Sequence, residues 1–402
     1  MRKMKTILMI GTLDTKAEEY AFVEKIIRNQ GHKVLMMDTG VLHDPDVAAD
    51  ISAAEVAKAG GSSLNQLREN GDRGEAMDVM IAGVSRLALA LYAEGRFDGV
   101  LSLGGGGGTN ISTAAMRQLP VGVPKMMVST LASGDVGPYV DIKDITMMYS
   151  VVDIAGLNRI SKQVLANAAG AICGMVEQQL AIKEDRKLIA TTMFGVTTPC
   201  VTRVRERLDA EGYEVVVFHA TGTGGRAMEG LINDGYVSGV ADVTTTEWCD
   251  ELVGGVLSAG PLRLDAAASK GIPQVVSCGA LDMVNFNAMS TVPAEFADRL
   301  FYKHNPNVTL MRTSPEECAR LGEIIAKKLN KSTAPAALLL PLKGVSMLDN
   351  NGQPFYNPEA DTALFNAIRE NVAGNVELLE YDLHINDPAF ADAVVEKMLE
   401  YV

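Results

Sequence analysis

Between Val100 and Asn110 the chain runs from Val-Leu-Ser-Leu into five consecutive glycines, Gly104 to Gly108, and then into Thr109 and Asn110. Glycine lacks the Cβ that holds a backbone away from a ligand, and it tolerates positive φ; a helix start adds free N–H groups that face an anion. A strand, this loop and a helix start therefore make Gly105, Gly106, Gly107, Gly108, Thr109 and Asn110 a phosphate cradle. The competing interpretation is a tight crossover that holds nothing, although a plain turn rarely needs five glycines. It is not a Walker A loop, because Thr109 follows Gly108 where that motif requires lysine.

Two further polar stretches follow apolar runs and so belong at the same sheet edge. Gly11-Thr12-Leu13-Asp14-Thr15-Lys16 offers hydroxyls from Thr12 and Thr15 for a phosphate or ribose and a positive charge from Lys16, with plain helix capping by Asp14 or Thr15 as the alternative. Ser129-Thr130-Leu-Ala-Ser133-Gly134-Asp135 repeats that small polar character. A second glycine cluster, Gly222-Thr-Gly224-Gly225-Arg-Ala227, fits G-x-G-x-x-A with Asp242 about twenty residues on as a ribose acceptor, which would make a dinucleotide site. In a chain with 38 glycines the match arises easily, and a small-ligand or carboxylate loop is the other reading.

Acid–base and nucleophilic groups are sparse. Asp153 sits in an apolar stretch, either as a buried cap or as a carboxylate with a perturbed pKa that could hold a metal or move a proton. His304, Arg312 and Lys343 have the chemistry to hold an anionic substrate in the second half. Cys278, before Gly279, is either a nucleophile at a strand end or an inert core thiol. The five cysteines show no C-x-x-C pattern.

A net charge of −14 repels polyphosphate backbones and acidic membrane surfaces, which argues against general nucleic-acid or membrane binding. Single nucleotides are not excluded, because a local nest of N–H groups, usually with a divalent cation, overcomes a distant field. Five widely spaced cysteines read as reduced thiols, and the apolar run Thr6 to Ile10 is too short for a signal-peptide core, so a cytoplasmic protein is expected.

The elements that must position these residues alternate. Apolar runs of strand length at Lys5 to Ile10, Lys33 to Met37, Gly99 to Leu103 and Lys125 to Val128 are separated by helical spacings, among them Met77 to Tyr92 and Thr109 to Met116. Ser52-Ala-Ala-Glu55 has capping-box spacing, and Leu157 to Ile182 reads as a long closing helix. The pattern restarts with strands at Lys187 to Thr192, Glu214 to Phe218, Gln274 to Ser277, Ala336 to Leu340 and Val376 to Tyr381. Helices are expected there at Val201 to Leu208, Gly225 to Ile232, Pro315 to Leu329, Thr362 to Val372 and Pro388 to Leu399. This predicts an α/β protein of two Rossmann-like open parallel-sheet domains facing a cleft, residues 1–184 and 185–402, with a charged linker near 182–187. The greasy helices Met77 to Tyr92 and Leu157 to Ile182 lead to the expectation of a homo-oligomer.

Gly11 to Lys16, the glycine loop, Ser129 to Asp135 and above all Asp144-Ile-Thr-Met-Met-Tyr149 through Ser150-Val-Val-Asp-Ile-Ala-Gly-Leu-Asn158 resemble the uncharacterised bacterial and fungal family related to the tomato tobamovirus-resistance protein. Cys278 to Asp282, Lys303-His304-Asn305 and Pro341 to Gly344 are similar to its second half. The resemblance implies an ATP-binding first domain, a two-domain α/β fold and self-association, and no known reaction. The expectation is an ATP-binding protein, with Mg²⁺, that acts on or senses a small polar metabolite. A lyase or hydrolase using the loop as a carboxylate or oxyanion site stands as the alternative.

Overall fold

The structure, a computed structural model, describes residues 3–178, 180 and 186–402. Contacts divide the chain into two compact units, Met1–Ile182 and Lys183–Val402. The expected linker at 182–187 falls largely outside the described residues.

The first unit runs β1 (Thr6–Gly11), α1 (Leu13–Asn29), β2 (Lys33–Asp38), α2 (Ala53–Gly60), α3 (Leu64–Asn70), α4 (Arg73–Ala93), β3 (Gly99–Gly104), α5 (Gly106–Gln118), β4 (Lys125–Ser129), α6 (Gly137–Val140), β5 (Thr146–Tyr149) and α7 (Arg159–Glu177). Its five strands pair in parallel in the order β2-β1-β3-β4-β5. Parallel strands covered on both faces read as continuous apolar runs, and β3 is buried throughout. On one face Tyr20, Val23 and Ile27 of α1 pack with Leu165 and Ile172 of α7. On the other, Val56 of α2, Met80 and Val84 of α4 and Ile111 of α5 form a separate core. Ser52 and Glu55 form the expected capping box on α2.

Among the described residues α4 alone is long and apolar enough to span a bilayer. Here it packs against α2 and α5, burying Met80, Gly83, Val84 and Ala88.

The second unit comprises β6 (Leu188–Met193), α8 (Thr198–Ala210), β7 (Glu214–His219), α9 (Thr223–Asn233), β8 (Gly239–Thr244), α10 (Glu247–Val253), α11 (Ala266–Lys270) and β9 (Gln274–Gly279). It continues with β10 (Met283–Phe286), β11 (Phe301–Asn305), β12 (Val308–Arg312), α12 (Pro315–Leu329), β13 (Ala336–Pro341), α13 (Pro358–Asn371), β14 (Glu377–Tyr381) and α14 (Pro388–Tyr401). Its parallel sheet, read β7-β6-β8-β9-β13-β14, repeats the order of the first sheet with one strand added. A small antiparallel sheet, β10-β12-β11, was not expected from sequence. Nor were β5 and β8. Strand β8 escapes an apolar-run search because Asp242 lies in its middle, fully buried and paired with Arg263 at 2.8 Å.

Candidate functional site

A doubly wound sheet opens a crevice where neighbouring strands send their chains to opposite faces. In the first unit that happens between β1, which leads to α1 on one face, and β3, which leads to α5 on the other. Tyr20 marks the place. Its fully buried hydroxyl donates to the Ile10 carbonyl at 2.6 Å and accepts from the Leu103 N–H at 2.9 Å, bridging the two strands just where their pairing ends at Ile10 and Ser102. Gly11 follows from this packing, since a Cβ there would lie 2.0 Å from the Tyr20 ring.

Beyond Tyr20 lies a cavity of about 510 Å³, lined by Thr12, Asp14 and Thr15 from the end of β1 and by Gly107 and Gly108 from the glycine loop. The structure thus brings together two of the sequence-predicted segments. Gly105 precedes α5, and no side chain caps that helix, so the N–H groups of Gly106, Gly107 and Gly108 are its orphan donors. None of the five glycines has a positive φ. A left-handed backbone conformation is therefore not what selects them. A Cβ at Gly105, Gly106, Gly107 or Gly108 would meet its nearest neighbour at 3.6–3.8 Å, an ordinary contact. Only Gly104 is tight, at 3.1 Å from the Gly108 Cα. Glycine in the first turn of α5 is thus not demanded by packing, although it costs helix stability relative to alanine.

The remaining predicted residues divide. Thr130 lies beside Gly105, with its hydroxyl 3.7 Å from where a Cβ would be, and its N–H donates to the Gly104 carbonyl at 3.2 Å. Thr109 is buried and turned inward, its hydroxyl shared between the Gly105 carbonyl at 2.8 Å and Ser129 at 2.7 Å. Asn110 donates to the Gly106 carbonyl at 2.9 Å. Lys16 is drawn to the Ile154 carbonyl at 2.5 Å, and Ser133 and Gly134 lie exposed in the turn after β4. Asp153 is exposed and accepts from the Ile154 N–H at 2.8 Å, so the expectation of a buried carboxylate fails.

Asp14 is held from one side and bare on the other. Its Oδ2 accepts from the Leu42 N–H at 3.0 Å, while Oδ1 is buried without a partner. Gly40 makes room for this carboxyl, because a Cβ there would lie 2.5 Å from its carbon. The neighbouring Asp38 accepts from Leu13 at 3.0 Å and Gly40 at 2.8 Å; burial nevertheless raises its pKa, with the Asp14 charge adding to it.

Sequence reasoning missed the other wall: Thr39, Leu42, Arg68, Arg73 and Met77, with Met80 behind them. The signal was present in Gly71-Asp72-Arg73, a helix start in which Asp72 accepts from the N–H groups of Gly74 and Glu75. Placing the helix start at Met77 hid it.

The second glycine cluster is occupied from within. Glu247 Oε1 accepts from the N–H groups of Gly222 at 2.7 Å and Gly225 at 3.0 Å, and a Cβ on Gly225 would collide with this carboxylate. Gly222 has φ +81°, and a Cβ on Gly224 would strike the His219 carbonyl. These glycines serve the fold. Asp242, the supposed ribose acceptor, is buried between Arg263 and Thr192. The dinucleotide reading fails because the protein's own carboxylate fills the anion position.

Cys278 is also set aside: it is fully buried, and burial pushes its thiol far above the usual range, so no thiolate is available. Arg312 is buried, donating to the Phe355 carbonyl at 2.8 Å and Asp361 at 2.7 Å. Lys343 pairs with Asp382 at 2.9 Å and shares with Asp361, Asn350, Asn351 and Tyr356 a cavity of about 370 Å³. His304 is exposed on β11 and does not line it.

With this geometry in hand, the comparisons decide the family. The N-terminal domain of the uncharacterised protein family UPF0261 matches residues 5–181, and its C-terminal domain matches residues 186–402. The chain belongs to the UPF0261 family. A UPF0261 protein of Clostridium tetani is 53% identical over 98% of both chains. The ToMV resistance protein Tm-1 of Solanum lycopersicum is 40% identical over 98% of this chain and 55% of its own length, so this UPF0261 chain spans about half of the tomato protein. Among solved structures, UDP-N-acetylglucosamine 2-epimerase from Rickettsia bellii covers 68% of this chain and 79% of its own at 12% identity and a TM-score of 0.24, too low to carry an argument.

Proposed function

We propose that the first unit binds a nucleotide at the β1/β3 crevice, with one phosphate on the N–H groups of Gly106 to Gly108 and the base against the apolar wall of Leu67, Met77, Met80 and Ile111. The observation that carries this reading is the row of glycines at Gly106 to Gly108, inside the first turn of α5, where the fold accommodates a Cβ and helix stability favours one. A ligand drawn against the backbone supplies the missing reason.

ATP is the expected nucleotide, with Mg²⁺. Mg²⁺ takes one or two carboxylates together with phosphate oxygens and waters, and Asp14 fits that donor set through its buried, unpartnered Oδ1. The ion would neutralise phosphate charge. The small polar metabolite finds its place in the second unit, in the cavity of Lys343 and Asp361. Calorimetric titration with ATP, NAD and a panel of metabolite acids tests the assignment. Saturable binding of ATP and none of NAD supports it. Silence toward ATP, with a carboxylic acid bound in its place, would return the loop to the carboxylate or oxyanion reading.

A further inference from the structure

The glycine loop accounts for one phosphate, and the cavity holds a cation that the fold leaves idle. Arg73 is the first residue of α4 and lines the cavity, and its guanidinium makes no hydrogen bond or ion pair with a described residue. The other arginine of that wall, Arg68, is engaged: its Nε donates to the Val41 carbonyl at 2.7 Å and its Nη2 to Asp44 at 2.9 Å. Asp72 is spent as the cap of α4.

The position of Arg73 relative to the loop follows from Met77. The Met77 methyl lies 3.7 Å from where a Gly107 Cβ would be, so the first turns of α4 face the loop directly. Residues four apart share a helix face, with Cβ atoms about 5–6 Å apart. Arg73 and Met77 are such a pair, and both line the cavity with Gly107 and Gly108. Arg73 is exposed and so free to turn toward a bound anion, and the planar fork of its guanidinium suits phosphate oxygens.

We propose that Arg73 is the receptor for a second phosphoryl group, and so selects nucleoside di- and triphosphates over monophosphates. This rests on the nucleotide reading above. A monophosphate is satisfied by the N–H groups of the loop; a longer chain extends across the cavity to α4, where the unpaired guanidinium takes its charge. A neutral residue at that position would remove the one arginine of this wall that the fold leaves unpaired, so that only a bound Mg²⁺ offsets the charge of the extended phosphate beside Asp14 and Asp72.

The test is calorimetric titration of the full chain and its Arg73→Gln variant with AMP, ADP and ATP. The parent should bind ADP and ATP more tightly than AMP. In Arg73→Gln, ATP and ADP should each lose about tenfold, the worth of one charge-assisted contact, while AMP stays within about twofold of the parent. Arg73→Lys, which keeps the charge but not the fork, should fall between them, and equal melting temperatures would show that both variants fold. An unchanged ATP affinity in Arg73→Gln, or an equal loss for AMP and ATP, would overturn the role of Arg73 while leaving the nucleotide site standing. A parent that binds none of the three would instead remove the nucleotide reading itself.

Discussion

Asp250 shows how single residues in the second unit trade hydrogen bonds against burial. Its Oδ1 accepts from the backbone N–H groups of Asn285 at 3.0 Å and Leu257 at 3.2 Å, and its Oδ2 from the Asn285 amide at 2.8 Å. Burial outweighs these donors and, with the Glu247 charge adding to it, pushes the pKa up to about 7. A carboxyl with a folded pKa above its unfolded value of about 3.9 stabilises the fold fully below about pH 4; that contribution is lost as pH rises through the folded value. Asn285 Oδ1 is buried without a partner, so an amide at position 250 can donate to it once the Asn285 amide is turned over. Asp250→Asn should therefore fold and should shrink the drop in stability between pH 5 and pH 8, measured by urea unfolding at both. An identical drop in parent and variant would rule out Asp250 as its source.

At the scale of elements, the start of α9 carries its own anion. Glu247 sits on the N–H groups of Gly222 and Gly225 and also accepts from Arg263 Nε at 2.8 Å, all of it buried. Glu247→Gln removes one of the carboxylates around Arg263, which keeps Asp242, and takes the charge from the helix start; it should cost about 1.5–3 kcal/mol in urea unfolding. A loss under about 1 kcal/mol would mean that Glu247 is not what holds this loop. The two glycine clusters show how much a sequence discloses. Both were legible as strand-to-helix loops, because apolar runs and glycine punctuation are local signals. Which of them is open was not, since Glu247 reaches Gly222 from twenty-five residues away and only the topology brings them together. The same holds for Arg73 and for β8, whose buried Asp242 reads as polar until Arg263 is seen beside it. Residues at strand ends, such as Thr12, Asp14 and Thr15, were legible because the alternation of strands and helices alone places them at one sheet edge.

The whole molecule is two doubly wound units with one strand order, β2-β1-β3-β4-β5 in the first and its counterpart with an added strand in the second. The place after β1 and β3 is a cavity lined by residues of the glycine loop; in the second unit Thr197, after β6, and Thr244, the last residue of β8, close on one another through a hydrogen bond at 2.8 Å. The proposed binding of ligand in the first crevice rests on glycines that packing does not require. Gly107→Ala examines that directly, because its two effects have opposite signs. Without ligand the added methyl meets only Met77, at 3.7 Å, and should raise stability by about 0.4 to 1 kcal/mol through the lost freedom of the unfolded chain. With ligand it stands between the backbone and the phosphate, and loss of one hydrogen bond to a charged group, about 1.5–3 kcal/mol, lowers affinity by about tenfold or more. The decisive measurement is the ATP affinity of Gly107→Ala by calorimetric titration, made beside its melting temperature. A variant that melts no lower than the parent and binds ATP at least about tenfold more weakly is the predicted result; one that binds ATP as the parent does would take the glycine loop out of the site.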